Sequence, residues 1–318
     1  MKKLLKVLGV ILLVISILIA LFFIYSIIKR HQTLNNPRFS NNYYESFTKG
    51  GDLEVKYANR GSYDVSYLEY ESNNNSIKNI RIWYPTELNN NNNKYPLIMV
   101  VNGSETPAKV YLPFFERLAS WGFIVVGNDD PQTGNGDTAS ITLDYVLNDS
   151  ELSQRVDRDN MGIIGYSQGG AGALSAVTKY DNGKMYKAIF TGSAAYPLLA
   201  ISMGWEYNPL DIEIPYFMTA ATGTSDDRGV DDINTEFGGV APLASLVDIY
   251  DKMSNDVFKI RARVAGAEHE EMQVRTDGYM TAWMLYQLKN DDEAGKVFIG
   301  DNAEILDNDN WQDIEKNN

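Results

Sequence analysis

Asp159-Asn-Met-Gly-Ile-Ile-Gly-Tyr-Ser-Gln-Gly-Gly170 is the stretch that decides the fold of this chain. Its apolar run from Met161 to Ile164 is typical of a short buried strand, and the residues from Ala171 to Tyr180 are typical of a helix. Between them, Gly165 to Gly169 fits the pattern G-x-S-x-G, in which a serine occupies a strained turn and the glycines avoid collisions with strand and helix. This context favours a nucleophile elbow with Ser167 at its apex over a structural turn that merely contains serine.

Predicted strands and helices alternate along most of the chain. Strands are predicted at Leu53 to Ala58, Tyr63 to Tyr70, Ile77 to Tyr84, Pro96 to Val101, Phe123 to Val126, Met161 to Ile164, Lys187 to Phe190, Tyr216 to Ala220 and Val257 to Val264, and further helices at Ala108 to Trp121 and Asp277 to Lys289. The first three segments suggest antiparallel strands. After them, strands separated by helices predict an α/β fold in one domain, with a mostly parallel central sheet and helices on both faces.

The amino terminus is predicted to cross a membrane. No charge interrupts the 22 residues from Val7 to Ile28, which would span roughly 33 Å as a helix against a bilayer core of about 30 Å. The run is too long for a typical signal-peptide core and no convincing cleavage site follows, so an uncleaved signal anchor is favoured over a cleaved signal peptide. Lys2, Lys3 and Lys6 favour an amino terminus inside the cytoplasm. The folded part is then expected outside the cytoplasm, held at the cell membrane by a single pass.

Three segments are expected along the 318 residues. Residues 1–31 form the signal anchor, residues 32–51 form a polar tether rich in asparagine, and residues 52–318 form the globular domain. The chain has no cysteine, so neither a disulfide nor a thiol-linked lipid is expected.

The charge of the chain argues against nucleic acid as a partner. The formal net charge is −14, and residues 1–31 carry five Lys and Arg and no acid, which leaves −19 on the remainder. Binding a polyanion usually requires a clustered basic surface, which such a domain lacks. The simplest interpretation of the acidity is a soluble surface.

A reactive serine requires a base, and His269 is the predicted one. A hydroxyl is a poor nucleophile until its proton is removed, and histidine is the usual base because its pKa lies near neutrality. The chain has two histidines. His31 lies beside the membrane segment, where an interfacial role is expected. His269 follows the last predicted parallel strand, where this architecture places its base; the alternative is a surface histidine in an acidic loop.

The third member should be a carboxylate that lies between serine and histidine in chain order and orients the imidazole. The apolar segment that begins at Pro215 leads into a loop with two adjacent aspartates. Asp226 is preferred and Asp227 stays open as an alternative, because spacing cannot separate neighbours in a loop. The pair Asp231 and Asp232 is a more distant alternative.

Backbone N–H groups are expected to bind the oxyanion of a tetrahedral intermediate. One belongs to the residue after the nucleophile, Gln168, and the other to the loop after an early strand. In that loop Gly103 would let the chain turn so that the N–H of Ser104 points at the substrate. The alternative is an ordinary strand-to-helix loop.

The chain resembles the α/β-hydrolase family over roughly residues 50–318, and within it the branch of dienelactone hydrolases, cutinases and polyester hydrolases. The resemblance is carried by Pro96-Leu-Ile-Met-Val-Val-Asn-Gly103, Arg117-Leu-Ala-Ser-Trp-Gly-Phe-Ile-Val-Val126, the Gly165 elbow, Gly266-Ala-Glu-His269 and the tail Ala282-Trp-Met-Leu-Tyr-Gln-Leu-Lys289 with Phe298-Ile-Gly300. Asn102 stands where many relatives have histidine or proline, and the segment after Asp226 is longer and more acidic than usual.

The leading hypothesis is a membrane-anchored, extracytoplasmic serine hydrolase that cleaves carboxylic esters through an acyl-enzyme intermediate. Ser167, Asp226 and His269 would be catalytic, and the N–H groups of Ser104 and Gln168 would form the oxyanion hole. No metal or organic cofactor is required. The expected partners are the membrane and a small-molecule, cell-envelope or polymer ester.

Two other functions stay open. A peptidase or amidase could use the same residues, because a fold does not determine the scissile bond. A noncatalytic surface binding protein is the third hypothesis, and the complete set of serine, aspartate and histidine in chain order weighs against it. The segment Ala195 to Ile214, with Trp205 and Tyr207, either walls the substrate pocket or packs over the sheet.

Overall fold

The strands of the described chain form one sheet. The computed structural model describes residues 2–230 and 232–318. The strands are β1 (Val65–Glu71), β2 (Asn79–Pro85), β3 (Tyr95–Val101), β4 (Ile124–Asn128), β5 (Val156–Tyr166), β6 (Tyr186–Gly192), β7 (Tyr216–Ala221), β8 (Lys259–Val264) and β9 (Trp311–Lys316). They lie in the order β1-β2-β4-β3-β5-β6-β7-β8-β9 in a nine-stranded sheet.

Helices cover both faces of this sheet. They are α1 (Lys2–Asn35), α2 (Asp52–Ala58), α3 (Leu112–Ala119), α4 (Asp137–Asn148), α5 (Gln168–Lys179), α6 (Pro197–Ser202), α7 (Leu243–Lys252), α8 (Met272–Arg275), α9 (Asp277–Lys289) and α10 (Asp292–Gly295). Alternate residues of β3 point to opposite faces: Ile98 and Val100 join the core under α3 and α9, whereas Leu97 and Met99 join the core under α4 and α5. A strand buried on both faces is wholly apolar for this reason.

The pairing of the strands confirms the predicted architecture. Strand β3 pairs in parallel with β4 and β5, and the parallel pairing continues from β5 through β6 and β7 to β8. Strands β1, β2 and β9 join by antiparallel pairing at the two ends. The sheet is therefore mostly parallel, as expected of an α/β-hydrolase fold, and the carboxyl ends of β3, β5, β6, β7 and β8 lie along one edge.

One predicted strand is a helix. Residues Leu53 to Ala58 were expected to be extended, but they lie in α2. Glu54, Tyr57 and Ala58 are buried, and this spacing of three and four residues marks one face of a helix. The helical spacing is not evident in the sequence because one of the buried residues, Glu54, is acidic. Its carboxylate accepts a hydrogen bond from Trp311 Nε1 at 3.0 Å.

Helix α1 contains the segment predicted to cross a membrane. The stretch Lys6–Gln32 is long and apolar enough by length and composition to do so. Its two serine side chains are satisfied locally, since the Ser16 and Ser26 hydroxyls donate to carbonyl oxygens four residues earlier, at 2.9 and 2.8 Å. A hydroxyl bonded in this way does not need water.

The segment after α1 (residues 36–51, the connector) packs against the globular domain. It lies within the stretch expected to be a polar tether, yet Phe39 and Tyr43 are buried in the same core as α3. The N–H of Arg38 donates to the carbonyl oxygen of Val110 at 2.7 Å. Because the residues on either side are polar, the composition of this segment does not reveal that these two aromatic side chains are buried. The connector therefore fastens the end of α1 to the domain.

A buried ion pair holds the connector to two helices of the domain. Arg117 of α3 pairs with Asp277 of α9, and both side chains are almost completely buried. The Tyr43 hydroxyl accepts from Arg117 Nε at 2.9 Å and donates to Asp277 Oδ2 at 2.6 Å. Arg117 also donates to Thr281 Oγ1 at 2.7 Å. Every charge in the cluster has a partner, which a buried ion pair requires to be tolerated.

We predict that Asp277→Ala destabilises the protein much more than loss of an exposed pair does. The substitution leaves the Arg117 guanidinium buried without its counter-charge, which typically costs about 3–5 kcal/mol. Glu116→Ala is the matched control, because it removes a pair with Arg60 whose side chains are 47% and 45% exposed, a type of pair that contributes about 0–1 kcal/mol. Urea unfolding of the detergent-solubilised chain, followed by tryptophan fluorescence, measures both; equal losses would contradict the prediction.

Candidate active site

Ser167 lies at a strained turn between β5 and α5. Its backbone has φ 56° and ψ −124°, a conformation that is rare for a residue with a side chain. Gly165 and Gly169 allow this turn, because an added Cβ would come within 2.0 Å of the Gly169 carbonyl oxygen and within 2.2 Å of the Val101 carbonyl oxygen, respectively. The end of β3, the turn and the start of α5 are thus closer together than side chains would permit.

The structure brings His269 to the Ser167 side chain. His269 Nε2 lies 2.9 Å from Ser167 Oγ. The histidine stands in a short 3-10 turn, His269–Glu271, that follows β8. Glu268 and Glu271 cap this turn reciprocally, which satisfies the free N–H groups at its start.

Asp226 contacts the other nitrogen of the imidazole. Its Oδ1 lies 2.5 Å from His269 Nδ1, and its side chain is completely buried. The second oxygen, Oδ2, accepts hydrogen bonds from the Ala221 N–H at 2.8 Å and from the Ser193 hydroxyl. The loops that carry Asp226 and His269 are joined by a bond from the Gly223 N–H to the Ala267 carbonyl oxygen at 2.9 Å. Both oxygens of the carboxylate therefore have protein partners, and the group is buried from solvent.

The other candidate acids have different positions. Asp227 points away from His269 and pairs with Arg263 at 2.6 Å. Asp232 is exposed and accepts hydrogen bonds within its own turn from Asn234. Asp231 lies outside the described residues. His31 is exposed on α1.

The pKa of His269 is raised above its ordinary value near 6.5. Burial of the ring lowers the pKa, and the more distant positive charge of Arg38 lowers it too. The hydrogen bond and the negative charge of Asp226 favour the imidazolium, with a further contribution from Glu270, and together they outweigh burial. The site therefore stabilises a proton on the imidazole next to the Ser167 hydroxyl.

The loop between β3 and α3 forms the opposite wall. Ser104 lines the same cavity as Ser167. Gln168 is the first residue of α5, so its N–H has no intrahelical carbonyl to bind. The left-handed residue of the loop is Glu105, with φ 55°. A turn does begin at Gly103, whose carbonyl oxygen accepts from the Thr106 N–H at 3.2 Å, but glycine is not needed for it, because the φ of Gly103 is not positive and a Cβ there would meet its nearest atom at 3.4 Å.

These side chains surround one small cavity of about 190 Å³. It is lined by Arg38, Gly103, Ser104, Thr106, Tyr111, Tyr166, Ser167, Gly192, His269, Glu270, Met272 and Gln273. Trp205 and Tyr207, the aromatic residues considered for its wall, are not among these residues. Trp205 packs against Gly134, and the Tyr207 hydroxyl donates to the Ala195 carbonyl oxygen at 3.0 Å. Both therefore pack over the sheet.

Sequence reasoning missed three residues around the cavity. Ser193, with φ 50°, donates to Asp226; its position directly after β6, at the edge where the site assembles, was the available signal. Gln132 accepts from Gln168 Nε2 at 3.0 Å and donates to Glu105 at 2.7 Å. Arg38 belongs to the connector, and no local pattern marks it as part of the cavity.

The arrangement has the parts needed for nucleophilic chemistry. A hydroxyl within hydrogen-bond distance of an imidazole can lose its proton to that ring as it attacks. A buried carboxylate on the opposite nitrogen sets the tautomer and stabilises the cation that forms. The N–H of Gln168 at the amino end of α5, which has no intrahelical acceptor, can stabilise a developing negative charge.

Known proteins similar to this chain are ester hydrolases by their names. Residues 44–195 match the family model described as PETase, PET hydrolase-like. The chain is 26% identical over 216 residues to cutinase est1 of Thermobifida alba, which covers 64% of this chain and 62% of that protein. It is 24% identical over 221 residues to cutinase cut1 of Thermobifida fusca, which covers 66% of this chain and 60% of that protein. A shorter match of 69 residues, 36% identical, relates it to lipase 1 of Moraxella sp. strain TA144 and covers 20% and 21% of the two chains.

The matches cover only part of these proteins. The chain spans about three-fifths of the length of the two cutinases. The family match ends at residue 195, before Asp226 and His269 in the chain. The similarity supports the α/β-hydrolase fold, and the assignment of the last two residues rests on their distances.

We predict that Asp226→Asn lowers the pKa of His269. The substitution removes the negative charge that favours the imidazolium and leaves burial, which disfavours it. Asp227→Asn is the matched control, because that carboxylate pairs with Arg263. Histidine Cε1–H resonances, followed by NMR across pH, report the pKa; the chain has two histidines, and His31→Gln assigns them. An unchanged His269 pKa in Asp226→Asn would refute the electrostatic role of Asp226.

Proposed function

Because the chain is an α/β-hydrolase similar to cutinases and PET hydrolase-like proteins, we propose that it is a serine hydrolase that cleaves carboxylic esters. The observation that carries the proposal is the continuous hydrogen-bonded series from Ser167 through His269 to the buried Asp226, of which Ser167 and His269 line one cavity. A strained serine turn and a buried charged carboxylate both lower the stability of a protein. A protein that only bound its ligand would have no need of either feature.

In the proposed mechanism Ser167 Oγ attacks the ester carbonyl carbon while its proton moves to His269 Nε2. Asp226 stabilises the imidazolium through Nδ1, and the N–H groups of Ser104 and Gln168 bind the oxyanion. The tetrahedral intermediate collapses, the C–O bond breaks, and the alcohol leaves with the proton from His269. A water molecule then gives a proton to His269 and attacks the acyl-enzyme; a second collapse releases the acid and restores Ser167.

We further propose that the enzyme is anchored in the cell membrane with its catalytic domain outside the cytoplasm. Residues 1–31 would be the anchor, residues 52–318 the hydrolase domain, and residues 32–51 the link between them. The apolar stretch Lys6–Gln32 supports a single pass. The lysines that precede the apolar run support an amino terminus on the cytoplasmic side.

A fluorophosphonate probe tests the nucleophile. We expect the native chain to be labelled and Ser167→Ala to be unlabelled, because the probe reacts with an activated serine. Ser202→Ala is the control, since that exposed serine binds only the Leu199 carbonyl oxygen of its own helix, and it should be labelled like the native chain. A folded native protein that is not labelled would refute the proposal that it is an enzyme.

A second measurement decides between an esterase and an amidase. It compares the rates of hydrolysis of short p-nitrophenyl esters with those of aminoacyl amides.

The pH dependence of ester hydrolysis tests the base. Since His269 must be neutral to accept the Ser167 proton, kcat/KM should fall as pH drops through its pKa, which lies above the ordinary value of 6.5. In Asp226→Asn we expect kcat to fall by about 10⁴-fold because the tautomer is no longer fixed, and the acidic limb to move to lower pH. A profile that is flat between pH 5 and pH 9 would exclude His269 as the base.

A further inference from the structure

The end of the membrane helix contacts the loop that forms one wall of the catalytic cavity. Arg30 Nη2 of α1 pairs with Glu105 Oε2 at 3.2 Å, and Glu105 directly follows Ser104. Asn35, the last residue of α1, accepts a hydrogen bond from Lys109 Nζ at 2.7 Å. Exposed pairs of this kind contribute little energy individually. These two contacts nevertheless show which face of the domain lies beside the helix.

The distance from the membrane span to the cavity is short. The span ends at Gln32, and α1 rises about 4.5 Å from there to Asn35. Three more residues lead to Arg38 and cover at most about 11 Å. Arg38 lines the catalytic cavity with Ser167 and His269. The cavity wall is therefore within about 15 Å of the end of the span along the chain.

The connector cannot extend to increase this distance without losing buried contacts. The N–H of Arg38 is bonded to Val110, and Phe39 is 9% exposed and stacks on Tyr111 with ring centroids 5.9 Å apart. Arg38 and Thr106 line both the catalytic cavity and a neighbouring hollow that is lined by Gln32. These two side chains therefore belong to the walls of both spaces.

The same face carries basic side chains in an acidic protein. Lys29, Arg30, Arg38 and Lys109 lie around the end of α1 and the cavity wall, with Glu105, Glu270 and Glu271 as neighbouring acids. The whole chain has a net charge of −14. Basic side chains next to a membrane segment are attracted to anionic lipid, so this is the face that would settle on a bilayer.

Building on the proposed function, we propose that the catalytic cavity opens at the surface of the protein's own membrane and that its substrate is a lipid-like ester held in that bilayer. The ester would reach Ser167 past Thr106 and Arg38 without leaving the interface. Hydrolysis adds water across the ester C–O bond and yields a carboxylic acid and an alcohol, and no other reactant is needed.

The test separates the domain from its membrane segment by inserting twelve Gly and Ser residues between Asn35 and Asn36. A flexible linker of this length has a root-mean-square span of about 20 Å, and the contacts of Arg38 and Phe39 lie downstream of it. The control has the same insertion between Asn93 and Lys94, two exposed loop residues. Each full chain is reconstituted in vesicles of phosphatidylcholine and phosphatidylglycerol that contain p-nitrophenyl palmitate, and p-nitrophenyl acetate in water serves as the soluble substrate.

We expect the insertion between Asn35 and Asn36 to lower turnover of p-nitrophenyl palmitate by about tenfold or more, because the active site is then exposed to a lower effective concentration of the ester in the bilayer. Turnover of p-nitrophenyl acetate should stay within about twofold of the native rate. The control insertion should change neither. Native chain should also hydrolyse palmitate in its own vesicles far faster than palmitate in separate vesicles. Unchanged palmitate turnover, or an equal loss on both substrates, overturns the inference; a native chain that hydrolyses neither ester refutes the proposed function instead.

Discussion

The close approach of three backbone segments around Ser167 is the constraint on which the site depends. The end of β3, the β5–α5 turn and the first turn of α5 come so near to each other that a Cβ at Gly165 or Gly169 would overlap a carbonyl oxygen. That proximity forces Ser167 into its positive φ. It also sets the Ser104 loop beside the amino end of α5, where free N–H groups gather. One steric condition thus positions the hydroxyl and the surface that would bind an oxyanion.

The parallel sheet explains why residues distant in sequence meet at this turn. Strands β5, β6, β7 and β8 run in the same direction and pair in sequence, so the loops after them emerge along one edge. Ser167, Ser193, Asp226 and His269 follow those four strands in that order. The buried carboxylate is stabilised by one donor from the loop after β6 and one from the last residue of β7, which links the orientation of the imidazole to the packing of the sheet itself.

The connector adds buried contacts to the α/β-hydrolase fold of this chain. Tyr43 enters the buried Arg117–Asp277 cluster, and Phe39 packs on Tyr111 of the cavity wall. Burial of these two aromatic rings therefore holds the segment that follows α1 to the domain. Because Arg38 lies between them and the helix, the same contacts bring a residue from outside the core fold into the catalytic cavity.

The sequence by itself determined the order of β3 to β8, the elbow at Ser167 and the long apolar helix at the amino terminus, because each follows from local periodicity or from the stereochemistry of glycine. It also named His269, since the chain has a single histidine after the last parallel strand. Tertiary structure alone decided that Asp226 and not Asp227 contacts the imidazole, that Ser193 supports it, and that Leu53 to Ala58 are helical around a buried Glu54. It alone showed that Arg38 reaches the cavity. Which neighbour in a loop faces inward, and which polar residue is buried, depends on partners far away in the chain, and no local pattern records them.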